Sequence, residues 1–152
     1  MTTTGGKAFV DTNVLLRATI SAQSLTREAE ALIQQQLKAG VELWVSRQII
    51  REYLVQVTRP QSFMEPLSFV EVQQRFNDIH NVFHIADETA EVTAQLLQLL
   101  KQYPTGGKQV HDANIVATML VNGVDTLLTM NVADFRRFED RIRLVPLAAD
   151  AP

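Results

Sequence analysis

Ala8-Phe9-Val10-Asp11-Thr12-Asn13-Val14-Leu15-Leu16 is the stretch whose reading decides the fold. The apolar residues ahead of Asp11 do not alternate with polar ones, so they read as a strand covered on both faces rather than a half-exposed one. Strands of that kind belong to parallel sheets, where ligands collect just beyond the carboxyl ends. Asp11 falls at that place. Thr12 and Asn13 follow it, and a short helical turn is expected from Val14 to Thr19.

Outward from this stretch, strand and helix signals alternate. Ser24 offers an N-cap for a helix through Ala29, Leu32, Ile33 and Leu37, stopped by Gly40. Val41 to Val45 reads as a second strand, and Ser46 caps a helix that places Ile49, Ile50, Tyr53, Leu54 and Val57 at helical spacing and ends before Pro60. Arg59 to Leu67 holds two prolines and reads as a loop exposing Phe63 and Met64. Ser68 with Glu71 is a capping box. A short strand is expected at Phe83-His84-Ile85, then a helix capped by Asp87, then a loop at Pro104-Thr105-Gly106-Gly107. A helix from about His111 to Asn122 stops at Gly123, and strands follow at Thr126 to Thr129 and Leu144 to Pro146. Such alternation needs crossover connections. The expectation is one α/β domain over 1–152, with residues 1–6 a flexible lead. Its architecture is a three-layer α/β/α sandwich around a central, mainly parallel sheet.

Composition narrows the function. Apolar residues make up 46% and charged ones 20%, which supports a packed core rather than a disordered chain. There is no cysteine, so thiolate metal sites and thiol nucleophiles are excluded. The first residues lack the basic and apolar regions of a signal peptide, and no apolar run reaches membrane-spanning length, so a cytoplasmic protein without membrane contact is expected. A net charge of -3 argues against a protein that coats nucleic acid by charge alone. It leaves room for a nuclease whose own acids lower the total. Basic residues are grouped at Arg47, Arg51 and Arg59 and at Arg136, Arg137, Arg141 and Arg143.

Four acids stand in notable places. Asp11 ends the first strand, Glu52 lies in the helix after the second, and Asp112 opens a helix on the stripe of Ile115, Val116 and Met119. Asp134 follows the Thr126 to Thr129 strand. Taken singly, each has an ordinary reading: a helix cap, a solvated helix residue, a first-turn acid facing the helix dipole, a turn residue. Taken together they sit at the carboxyl side of the sheet, where clustered oxygen ligands suit a hard divalent cation.

These segments resemble a known family. Val10-Asp11-Thr12-Asn13-Val14-Leu15, Ser46 through Glu52, His111-Asp112-Ala113-Asn114-Ile115-Val116-Ala117 and Thr129 through Phe135 look like the four motifs of PIN domains, in the family's order, and are most similar to VapC-type toxins of toxin–antitoxin pairs. The resemblance implies a magnesium- or manganese-dependent endoribonuclease leaving 5′-phosphate and 3′-hydroxyl ends. It also implies that Asp11, Glu52, Asp112 and Asp134 are the catalytic, metal-binding acids, supported by Thr12, Asn13, Ser46, Thr129 and Asn131. The partners it implies are an RNA substrate and a cognate antitoxin. A homodimer is expected because most soluble oligomers are twofold. The helices from Val14 to Gly40 and from Arg47 to Val57 are the expected docking surface, and the arginine groups and Phe63 are candidates for holding RNA.

Two readings of other classes compete. A receiver-like domain would also hold acids and magnesium at a strand rim, but it would place a lysine after a late strand, whereas Lys108 precedes a helix. A pure interaction protein would bind no metal. His80, His84 and His111 lack a ligand spacing, and Gly106-Gly107-Lys108 lacks the flanking residues of a phosphate-binding loop.

Overall fold

β1 (Lys7–Val10) runs through the middle of a five-stranded sheet in the computed structural model, which describes residues 5–20, 24–62 and 64–147. On one side of it lie β2 (Glu42–Ser46) and then β3 (His84–Ala86). On the other lie β4 (Thr126–Thr129) and then β5 (Arg143–Pro146). All four pairings are parallel. Phe9 is in register with Trp44 on one flank and Leu127 on the other. Ala8, Phe9, Val10, Leu43, Val45, Leu127 and Leu128 are buried, which is why the central strands read as continuous apolar runs.

The order fixes the layers. From β1 to β3 the chain steps one way across the sheet, and right-handed crossovers put α1 (Thr12–Thr19), α2 (Thr26–Lys38), α3 (Arg47–Val57) and α4 (Phe69–Val82) on one face. It then returns across β1 to β4, so α5 (Ala90–Gln102) and α6 (Gln109–Val121) cover the opposite face. A single turn, α7 (Val132–Phe135), and a 3-10 turn at Arg136–Phe138 lead to β5. The packing agrees: α1 lies against α2 and α3, and α6 against α5 and α7. Because β1 and β4 are neighbours whose following connections run in opposite directions, the crevice of the sheet opens at their carboxyl ends.

Several local expectations shift. α1 begins at Thr12 rather than Val14, because the Asp11 side chain accepts from the Thr12 N–H and starts the helix at once. α2 is entered through Leu25 in a left-handed conformation (φ 65°) with no side-chain cap, so Ser24 is not its N-cap. Leu25 packs partly against the core, which offsets the strain of that backbone. Asp87 does not cap α5. Its carboxylate accepts from Arg47 Nε at 3.0 Å, and α5 begins at Ala90 without a side-chain cap. Met64 is half-buried against the core rather than exposed, and Phe63 lies outside the described residues. The capping box at Ser68 forms in full. Of the expected flexible lead, residues 1–4 lie outside the described residues. Gly5 and Gly6 are held: the Gly6 carbonyl accepts from Glu42 N–H at 2.9 Å, and a Cβ on Gly5 would come within 2.6 Å of the Ala39 carbonyl oxygen. Among the described residues no helix is long and apolar enough to cross a membrane.

Candidate active site

Asp11 is the first residue beyond β1, and its N–H continues the ladder to the Leu128 carbonyl at 2.9 Å. Its side chain is 5% exposed. One carboxylate oxygen accepts from Thr12 N–H at 2.8 Å and the other from Thr129 Oγ1 at 2.7 Å. Thr129, at the end of β4, also accepts from Asn131 N–H at 2.9 Å, so one buried hydroxyl ties Asp11 to the turn that carries Asp134. Burial pushes the Asp11 carboxyl above its ordinary value, against the lowering effect of the Thr129 and Thr12 hydrogen bonds. Glu52 and Asp134 raise it further.

Glu52 comes from the opposite side of the crevice. Ser46 accepts from Ile49 N–H at 3.2 Å and sets where α3 starts, which places Gln48 and Glu52 one turn apart on the same side of that helix. Thr12 Oγ1 donates to one Glu52 oxygen at 2.8 Å and Gln48 Nε2 to the other at 3.0 Å. Thr12 therefore joins both acids: its N–H holds Asp11 and its hydroxyl holds Glu52.

Asp112 is in the first turn of α6, which begins at the carboxyl side of the sheet because it runs back toward the start of β4. It is half-buried. Desolvation, and then the charges of Asp134, Asp11 and Glu52, push its pKa up to about 6, while Arg137 pulls weakly the other way. The four acids named from the sequence thus share one electrostatic environment. Of the polar positions, Thr12 and Thr129 touch acids directly. Ser46 acts as a helix cap, Asn131 contributes its N–H to Thr129, and Asn13 uses its carbonyl to accept from Arg17 at 3.4 Å.

Two residues at the site were not singled out from the sequence. Gln48 is 5% exposed and bonded on all sides, and Asn114 donates to it. The available signal was an amide one turn ahead of Glu52. Arg137, one of the arginines the sequence offered for holding RNA, lowers the Asp112 pKa weakly and donates to the Pro104 carbonyl at 3.2 Å and to Gln109 at 2.9 Å.

The donor set fits a hard divalent cation. Among the described residues Asp112 has no hydrogen bond lowering its pKa, and Arg137 is the one cation whose charge lowers it. Among the described residues no three acids converge closely enough to form a ready-made ligand cage. A cation would therefore rest on one or two carboxylates and keep waters, as magnesium does.

The raised Asp112 pKa has a consequence for stability. Folded Asp112 titrates near 6 against an ordinary 3.8, so below pH ~4 both states are protonated and nothing is lost. Between about pH 4 and 6 the unfolded carboxyl has ionised while the folded one keeps its proton, so stability falls across that window and levels off above it. A fully buried group with this shift would lose about 3 kcal/mol; screening at a half-exposed one leaves about 1 kcal/mol. Urea titrations in chelator should find Asp112→Asn matching the wild type at about pH 3.5 and more stable by about that amount at pH 7.5. Equal stability at both values would show that neither burial nor the neighbouring acids raise the Asp112 carboxyl.

A family model described as the PIN domain matches residues 8–140. No curated protein matches the sequence. Solved structures do. VapBC2 from Rickettsia felis, bound to a promoter DNA fragment, aligns with a TM-score of 0.70 at 16% identity over 93% of this chain and 99% of that one. A toxin–antitoxin complex from Klebsiella pneumoniae gives 0.64 at 21% identity over 93% and 98%. Mycobacterium tuberculosis VapC20, a toxin that cleaves the sarcin–ricin loop, gives 0.60 at 16% over 79% and 86%. At such identities the likeness speaks for the fold. The family model covers most of the chain and spans every segment that contributes an acid, from β1 through α7. The chain belongs to the PIN-domain family.

Proposed function

We propose that this protein is a magnesium- or manganese-dependent endoribonuclease and the toxin of a toxin–antitoxin pair. The observation that carries the reading is the gathering of Asp11, Glu52, Asp112 and Asp134 around the crevice of the sheet, where burial, and then the charges of the other three acids, push Asp112 up to about 6. Structural neighbours that are toxins or toxin–antitoxin complexes support the second half.

In this reading one or two of the four acids would hold the cation directly and the others through its waters, and the protein's own groups set their geometry. Thr129 and the Thr12 N–H fix both oxygens of Asp11, while Thr12 and Gln48 fix both oxygens of Glu52. Asn13, Ser46 and Asn131 support the backbone at these positions. A divalent cation, when bound, supplies Lewis acidity that polarises a phosphodiester and makes water acidic enough to attack it. Arg137, whose charge is felt at Asp112, is the cation that would meet an RNA phosphate.

Purified protein incubated with structured RNAs should cut them in magnesium or manganese and stop in chelator, leaving 5′-phosphate and 3′-hydroxyl ends. Uncut RNA in both metals would overturn the nuclease. Co-purification from the native cell addresses the toxin: a small bound partner that silences cleavage is expected. A monomer indifferent to its genomic neighbour's product would leave a nuclease of another role. The docking face for that partner is narrower than the sequence suggests, because Val14, Leu15, Ile49, Ile50, Tyr53 and Val57 are buried against the sheet. Exposed apolar residues remain at Leu37 and Val82, beside a cavity of about 160 Å³ between α1, α2 and α4.

A further inference from the structure

Gln48 makes three hydrogen bonds to three different groups, and all three lie at the acid rim. Its Nε2 donates to Glu52 Oε2 at 3.0 Å and to the His111 carbonyl at 2.9 Å, and its Oε1 accepts from Asn114 Nδ2 at 2.8 Å. His111 and Asn114 flank Asp112 on α6, whereas Glu52 is on α3. One side chain therefore spans the sheet's edge between helices from opposite layers.

The orientation of this amide is determined by its neighbours. Turning it over would face Oε1 toward a carboxylate and a carbonyl, both acceptors. Asn114 could turn with it, but the clash with Glu52 and His111 would remain. Burial makes the arrangement strict, since an unpaired amide there costs about 1–3 kcal/mol. Neither of the direct contacts to Glu52 is redundant: Thr12 holds one oxygen and Gln48 the other.

From this we infer that Gln48 is a positioning residue of the site, an amide clamp that sets the direction of the Glu52 carboxylate and its spacing from Asp112. The inference rests on reading the rim as a metal-dependent nuclease site. Its chemistry is that of an outer partner which aims a ligand without touching the cation. Gln48 does not react; it acts through Glu52.

The test uses Mn²⁺ itself as probe, titrated into the full-length, chelator-treated protein and followed by the electron spin resonance of free ion. Gln48→Met keeps the length and volume and removes the amide. Its affinity for Mn²⁺ should fall about ten- to a hundredfold. In a Glu52→Gln background the same change should alter affinity less than about twofold, because the carboxylate it aims is already gone. A role confined to holding the fold would lower the melting temperature and leave Mn²⁺ affinity unchanged. That result overturns the inference, as does an equal loss of affinity with and without Glu52. If Gln48→Met does not fold, Asn114→Ala decides instead: it removes only the donor to Gln48 Oε1, leaves the amide anchored through Nε2 alone with a buried unpaired oxygen, and should weaken Mn²⁺ binding several-fold, an unchanged affinity counting against the clamp. Wild-type protein that binds Mn²⁺ but cuts no RNA ends the nuclease reading while leaving the clamp. Wild-type protein that cuts RNA alongside an equally active, equally Mn²⁺-avid Gln48→Met ends the clamp alone. No Mn²⁺ binding at all ends both.

Discussion

Asp112→Asn is expected to lower metal-dependent RNA cleavage by about a thousandfold or more while leaving the fold intact. Three factors of ten correspond to about 4 kcal/mol of transition-state stabilisation, within the several kcal/mol that a correctly held metal contributes. Asparagine keeps the shape of the side chain and removes its charge, so the pocket's field on a cation falls without a cavity forming. The loss of a first-turn acid from α6 would cost about 0.3–1 kcal/mol of dipole interaction at most. Relief of the repulsion from Asp134, Asp11 and Glu52 acts in the opposite direction. The variant should therefore melt no lower than the wild type in chelator at neutral pH, and its dead cleavage cannot be blamed on misfolding. Single-turnover cleavage at saturating manganese is the deciding measurement. A rate within tenfold of the wild type would remove Asp112 from the catalytic set.

Thr129→Val should be the second most damaging of the changes considered, and it tests the other end of the site. The Thr129 hydroxyl is fully buried, donates to Asp11 Oδ2 at 2.7 Å and accepts from Asn131 N–H at 2.9 Å. Valine has the same outline and can do neither. Asp11 is left with one donor in a buried place and its pKa moves further up, so the carboxylate becomes a poorer ligand at neutral pH. The orphaned groups should cost about 2–3 kcal/mol of stability, and the misdirected Asp11 about a hundredfold in cleavage. Thr129→Ser keeps the hydroxyl and should recover most of both. Urea denaturation read beside the cleavage rate distinguishes the outcomes: if valine is as stable and as active as threonine, the hydroxyl positions nothing.

These two experiments bear on residues that are far apart in the chain, and that separation explains which parts of the site were legible in advance. β1 and Asp11 were readable because a strand covered on both faces must be apolar at successive positions, and the first acid after it must lie at the rim. The Ser46 cap, the Ser68 box, the glycine stops at Gly40 and Gly123 and the whole of β4 were readable for a similar reason. Each depends on groups a few residues apart. The four acids could be listed because all follow strand ends or open helices that lead into strands.

Local chemistry misled where a distant partner competed for the same group. Asp87 has the look of a helix cap, yet its carboxylate is taken by Arg47, 40 residues earlier. Leu25 enters α2 in a conformation that no propensity favours, held by the core it packs on. α7 was not anticipated, because four residues give no periodicity to read.

What the sequence alone determined is the alternation of strands and helices, the α/β class with its parallel sheet, and which four acids to propose for the site. Only the tertiary structure decided how those acids are held. Thr129 reaches Asp11 across 118 residues, Asn114 reaches Gln48 across 66, and Thr12 reaches Glu52 across 40. None of these pairings leaves a local pattern. They exist because the strand order puts β4 beside β1 and brings helices from both layers to one crevice. A hydrogen bond of about 2.8 Å is specified by that arrangement and by nothing nearer in the chain.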